Sequence, residues 1–286
     1  MDVGRYTFVV VIPPGFEADV VAGRRPAVQV DVDATAMMQA GIGAGYIAAI
    51  VGEEVARFVD PAGRAAPAPV SLRARYAFNP NLTSSWFTSV MEIINNVSML
   101  AIVLTGAALI REREHGTIEH LLVMPVGPLQ IMLAKVWANG LVILVAVALS
   151  LWIVVETLLQ VPVAGSRPLF LAGVVLYLFF ATALGIFLAT LARSMPQFGL
   201  LFMLVVLPMN MLSGGETPTE SQPEALQALM QAVPSTHFVA FAQAILFRGA
   251  GLGIVWPQFA LVAAIGGAFF AFAAIRFRRN IGALRG

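Results

Sequence analysis

The chain has 286 residues, of which 59% are hydrophobic and only 12% charged, with a mean hydropathy of +0.84 and a net charge of +1. A soluble domain carries about 25% charged residues, so this composition excludes a soluble globular enzyme. It also excludes a disordered chain, which would be polar and highly charged, and it gives no basic field for nucleic acid. The absence of cysteine removes disulfides, thiolate metal sites and cysteine nucleophiles.

Residues 1–85 are mixed in character, with seven arginines and five aspartates. The boundary is placed at Asn79-Pro80-Asn81, and residues 86–286 form long apolar runs broken by short polar segments. The first part reads as a small α/β domain. Residues 6–12 (YTFVVVI) are a β-branched apolar run, as for a strand buried on both faces. Residues 16–22 suit a short helix. Val28, Val30 and Val32 alternate with Gln29, Asp31 and Asp33, the pattern of a half-buried strand whose aspartates face solvent. Residues 34–58 suit a helix. Val70, Leu72, Ala74, Tyr76 and Phe78 alternate in a third strand.

Five runs then have the length of membrane spans, since a hydrocarbon core of about 30 Å needs about 20 apolar residues at 1.5 Å of helix each. They are residues 89–110, 136–155, 169–191, 196–212 and 257–275, and only the first contains a charge, Glu92. They are internal and repeated, so a signal peptide does not explain them. Orientation follows from lysine and arginine in the short connections. One set of connections carries Arg111, Arg113, Lys135, Arg193, Arg276, Arg278, Arg279 and Arg285; the other carries only Arg167 and Arg248. That bias predicts a cytoplasmic C-terminus and residues 1–85 outside. A domain beginning at Met1 then lacks a preceding span to carry it across, so a further upstream segment is expected.

The polar segments hold little catalytic chemistry. The single lysine lies in Ala134-Lys135-Val136, so there is no P-loop, and neither H-E-x-x-H nor G-x-S-x-G occurs. His115 and His120 have the wrong spacing for one helix face. Segment 111–135 is the most informative. Gly116 is suited to end one helix and Thr117 to cap a short second one, with Glu119 in its first turn. Leu121, Leu122 and Met124 give that helix an apolar side, Pro125 stops it, and Pro128 suits the start of the next span. The residues alone admit two readings: an interfacial loop at the headgroups, or a docking element, which the glutamates favour because a helix meant for anionic lipid is mainly basic. Segment 213–256 reads as two short helices returning toward the membrane. Ser221 and Glu224 have capping-box spacing, and Leu226, Leu229, Met230 and Val233 share one helical face. Pro234 stops that helix and residues 236–247 form the next. Within the spans the polar candidates for a translocation path are Glu92, Asn95 and Asn96 near one end of the first span, and Asn210 in the fourth.

The run ALIREREHGTIEHLLVMP at 108–125 resembles the cytoplasmic loop of type-2 permeases of ATP-binding-cassette (ABC) exporters. ARSMPQFGLL at 192–201, LSGGETPTESQP at 212–223, VIPPGFEADV at 11–20 and VQVDVDAT at 28–35 are similar to other parts of that family. The resemblance implies six spans, of which this chain carries five, with an extracytoplasmic domain between the first two. It implies that Gly116, Thr117, Glu119, Leu121 and Leu122 belong to a coupling helix, connected to its span by Arg111, Glu112, Arg113 and Glu114. It implies a cytoplasmic ATPase partner that binds ATP and magnesium, a second permease half and often a periplasmic adaptor, in a bacterial inner membrane. This chain itself would hold no cofactor or metal and catalyse no bond chemistry. The apolar spans suggest lipophilic or amphiphilic cargo, as in drug efflux. A secondary transporter or channel is the alternative, disfavoured by the scarcity of charge at membrane depth.

Overall fold

In the computed structural model the chain divides into two compact units, Met1–Phe87 and Thr88–Gly286. The structure describes residues 6–34, 37–59, 70–78, 84–115, 127–215, 217 and 219–282.

Among the described residues the first unit is a three-stranded sheet carrying two helices. Strand β1 (Phe8–Val11) pairs antiparallel with β2 (Ala27–Asp33), and β2 pairs parallel with β3 (Ser71–Ala77), so β2 is central. A short helix α1 (Phe16–Val21) joins β1 to β2, and α2 (Met37–Val59) makes the crossover that a parallel pair requires. The alternating valines of β2 do what their period demands. Val30 and Val32 are fully buried beside Ala40 and Ala44 of α2, with Phe8, Leu72 and Tyr76 packed against them. Gly43 lets α2 approach β1, because a Cβ there would collide with the Phe8 ring.

Two expectations need correction. β1 is an edge strand, so Val9, Val10 and Val11 are exposed instead of buried on both faces. Asp33 is buried, because it ends the central strand, where its amide N–H donates to the Thr7 carbonyl at 2.8 Å. Asp31 is half-buried and accepts from Gln29 Nε2 at 2.9 Å.

The second unit is helical. Its elements are α3 (Ser84–Glu114), α4 (Pro128–Leu149) continuing into a π-helix (Ser150–Leu158), α5 (Arg167–Leu191), α6 (Met195–Leu212), the short α7 (Glu224–Gln231) and α8 (Pro234–Leu246), and α9 (Leu252–Gly282). Among the described residues, five helices are long and apolar enough to cross a membrane: Ser85–Glu114, Leu129–Leu158, Arg167–Leu191, Met195–Leu212 and Leu252–Arg278. These correspond to the five runs expected. Pro128 begins α4 and Pro196 lies in the first turn of α6, where a missing N–H costs nothing. Pro257 was expected to open the last span but lies inside α9, in its second turn, where it removes one ladder bond.

Helix α5 is the most enclosed of the five spans. Phe179, Phe180 and Phe187 meet Phe270 and Phe269 of α9, and the Tyr177 ring stacks on Phe238 of α8 at 4.1 Å. The Tyr177 hydroxyl pairs with Ser98 of α3 at 2.8 Å. Gly185 brings α5 against α3, since a Cβ there would lie 2.5 Å from the Ile102 carbonyl oxygen. Small residues at such a crossing are how apolar helices gain close packing without a hydrophobic driving force.

Segment 213–256 differs in detail from its sequence reading. Ser221 does not occupy the N-cap position of α7, which is Pro223. It ends a 3₁₀ turn (Thr219–Ser221), and α7 starts from Pro223, whose fixed φ sets an extended entry and whose carbonyl accepts from the Leu226 amide at 2.8 Å. Pro234 both follows α7 and opens α8, so α8 begins two residues before the expected 236. On α7, Met230 is buried but Leu229 is 62% exposed, so the expected apolar face is only partly covered. The two short helices meet at a bend of 84°.

Candidate functional site

The run Arg111–Glu112–Arg113–Glu114 closes α3, and three of these side chains each tie a different helix. Glu112 Oε1 accepts from Lys135 Nζ in the second turn of α4 at 2.5 Å, in a pair whose side chains are 31% and 13% exposed. Arg113 donates to the carbonyls of Ala189 at 3.5 Å and Ala192 at 2.5 Å, the last acceptors of α5. A helix leaves its final carbonyls unsatisfied and its C-terminal dipole end negative, so a guanidinium fits there on both counts. Glu114 Oε1 accepts the Met195 amide at 3.1 Å, at the first residue of α6. A carboxylate at a helix N-terminus meets free N–H donors and the positive dipole end. Arg111 is exposed, and its carbonyl accepts from His115 Nδ1 at 2.8 Å.

This arrangement is a latch. One turn of α3 carries an acid for a lysine, a base for a helix C-terminus and an acid for a helix N-terminus. Four helix ends are held together at one end of the unit. A further bond, Asn139 Nδ2 to Thr105 Oγ1 at 3.2 Å, repeats the α3–α4 tie, two turns back along α3 and one turn on along α4. Sequence reasoning assigned Lys135 only to the charge count and missed its pairing with Glu112. The receiving carbonyls of Ala189 and Ala192 leave no signal in a sequence at all. The remaining coupling candidates, Gly116, Thr117, Glu119, Leu121 and Leu122, lie outside the described residues.

The four translocation-path candidates separate. Glu92 and Asn96 line a half-open groove of about 380 Å³ between α3 and the α4 π-helical segment. Asn96 Nδ2 donates to the Glu92 carbonyl at 2.8 Å and to its carboxylate Oε2 at 3.4 Å. Asn95 and Asn210 are not among the groove residues; Asn210 is buried in α6. The π-helical wall is real in its bonding: the Leu159 amide donates to the Val154 carbonyl at 2.9 Å, five residues back. π-Helical turns are rare, occur mostly as single-turn insertions in α-helices and are frequent at functional sites; here the stretch runs for nine residues.

In segment 213–256, His237 is buried and its Nε2 donates to the Gln231 carbonyl at 2.8 Å, which fastens the bend between α7 and α8. Ser213 and Ser235 share a buried hydrogen bond at 2.9 Å. Among the described residues no three His, Asp or Glu side chains gather as a metal site.

A family model for ABC-2 family transporter proteins matches residues 1–275. The inner membrane transport permease YhhJ of Escherichia coli (strain K12) is 59% identical over 284 residues, 99% of this chain and 76% of that protein. The probable multidrug ABC transporter permease YbhR of the same organism is 28% identical over 291 residues, 98% of this chain and 76% of that protein. The probable multidrug ABC transporter permease YbhS is 25% identical over 253 residues, 87% of this chain and 66% of that protein.

Proposed function

The chain belongs to the ABC-2 transporter family and is a membrane permease subunit, and from that premise we propose that it serves an ATP-driven exporter of lipophilic or amphiphilic compounds. The ATP would be hydrolysed by a cytoplasmic partner, and a second permease half would complete the path. A periplasmic adaptor fits the same reading. Residues 111–135 form the coupling region, with the C-terminus in the cytoplasm of the inner membrane and residues 1–85 on the far side.

The observation that carries this reading is the latch. A segment inserted between α3 and α4 can drive a bundle only if the bundle end moves with it. The ties from Glu112, Arg113 and Glu114 to α4, α5 and α6 supply that stiffness. A push on residues 116–126 would then reach four helix ends, and the two closed and open states of the partner would bias two arrangements of the spans. Drug-like cargo fits the apolar spans and the multidrug permeases YbhR and YbhS among the relatives.

The test uses Leu121→Asp. Docked helices rely on a few buried apolar anchors, each worth about 2 kcal/mol or more. The variant should insert at normal abundance yet lose at least tenfold in stimulation of its copurified ATPase and in export from reconstituted vesicles. Unchanged export would leave segment 111–135 as an interfacial loop.

A further inference from the structure

Resting on the permease reading above, we propose that the groove between α3 and the π-helical segment binds an organic ammonium amphiphile entering from the lipid side, with Glu92 as its counter-ion. Three observations converge on this occupant.

The first is depth. Twenty residues separate Glu92 from Glu112 on one uninterrupted helix, about 30 Å at 1.5 Å per residue. That is the thickness of a hydrocarbon core. With Glu112 at one membrane boundary, Glu92 stands at the other, and Asn96 and Leu100 follow one and two turns deeper.

The second is charge. Among the described residues no cation lies within ion-pair distance of Glu92, whose carboxylate is held by the Asn96 amide. Two other carboxylates of this unit, Glu112 and Glu156, have cation partners in Lys135 and Arg167. A carboxylate at a membrane boundary whose partner is a neutral amide has no counter-ion of its own, and a mobile cation can supply one.

The third is shape. Behind the carboxylate the groove is floored by Val97, Ile143 and Val147 and walled by Val154 and Val155 of the π-helix. Its volume of about 380 Å³ falls in the range of small-ligand pockets, about 300–1,000 Å³. One apolar chain with a cationic head matches a charged mouth and an apolar floor. The same ammonium chemistry is present in aminophospholipids; the groove volume holds one chain of drug size, cargo is taken as the occupant, and the phosphatidylethanolamine arm below tests the lipid.

The experiment is photolabelling with dodecyltrimethylammonium carrying a mid-chain diazirine, in phosphatidylglycerol vesicles, followed by peptide mapping. Label should fall on peptides covering 93–100 and 143–155. Glu92→Gln should lower it at least tenfold and Glu92→Asp should keep most of it. Ala146→Trp, which fills the groove and leaves the carboxylate in place, should abolish it. Diazirine-labelled dodecanol should mark wild type and Glu92→Gln alike. Equal ammonium labelling of wild type and Glu92→Gln overturns the proposal, and so does labelling that survives Ala146→Trp. Abolition of labelling by equimolar phosphatidylethanolamine would make the groove a resident lipid site and overturn it too. Copurification of the ATPase is scored on the same preparations. Absence of labelling in wild type with the ATPase present sinks this inference alone, whereas labelling of wild type with no ATPase sinks the transporter reading alone.

Discussion

At the residue scale, Arg113 holds its position through geometry as much as charge. Its planar fork reaches two carbonyls at the end of α5, which a lysine ammonium on a flexible stem cannot span in the same way. Hydrogen bonds from charged donors contribute about 1.5–3 kcal/mol each, so Arg113→Ala should cost about that much in SDS-induced unfolding of the purified protein, with Arg113→Lys in between. A lysine variant as stable as wild type would show that charge at the helix end suffices. The Glu112–Lys135 pair lies between two regimes. Exposed pairs contribute about 0–1 kcal/mol, while removing one partner of a fully buried pair costs about 3–5 kcal/mol. With side chains 31% and 13% exposed, a double-mutant cycle of Glu112→Gln and Lys135→Met should return a coupling of about 1–2 kcal/mol. A coupling near zero would remove α4 from the latch.

At the scale of elements, helix crossings decide what the sequence makes visible. The five spans are legible because each is a run of about 20 apolar residues, a one-dimensional property that needs no partner. β2 is legible for a related reason, since its valines keep a period of two. The exposure of β1 and the burial of Asp33 are not, because both depend on which strand ends up central. The run Arg111–Glu114 announces itself as a charged helix end, but its acceptors are backbone atoms of Ala189 and Ala192 and an amide of Met195, which any residue would supply. The crossing of α3 and α5 is equally silent: Gly106 and Gly185 look like two glycines among many. A Cβ on Gly185 would press on the Ile102 backbone, whereas one on Gly267 meets nothing within 4 Å. Overpacking of this kind costs about 1–3 kcal/mol, so Gly185→Ala should destabilise by that amount and Gly185→Val by more. Gly267→Ala should change stability by less than about 0.5 kcal/mol, and a larger loss there would mean that the substitution acts through lipid contact and not through the crossing.

At the scale of the whole molecule, the fold collects charge at one end of the helical unit, and this bears on which way the permease sits. Arg111 and Arg113 end α3, Lys135 is in the second turn of α4, and Arg193 follows α5. The Arg276 guanidinium lies 5.8 Å from the centre of the Phe187 ring, one turn before α5 ends, so the C-terminal part of α9 joins the same cluster. Arg167 opens α5 at its other end, 25 residues and about 37 Å away, where it pairs with Glu156 at 2.5 Å. Lysines and arginines in short connections are retained on the cytoplasmic side because moving them across the bilayer is unfavourable, so the collected end should face the cytoplasm. Alkaline phosphatase, which is active only in the periplasm, should therefore be silent when fused after Gly286 and active when inserted after Gly251, between α8 and α9. Green fluorescent protein at the same two sites should give the opposite pattern. To separate the charge argument from span hydropathy, Arg276, Arg278 and Arg279 can be changed together to glutamine. If the collected charge sets orientation, that triple variant should gain a measurable fraction of active C-terminal phosphatase. A wild-type C-terminal fusion that is active, with the Gly251 insertion silent, would invert the orientation and move segment 111–135 out of reach of any cytoplasmic ATPase.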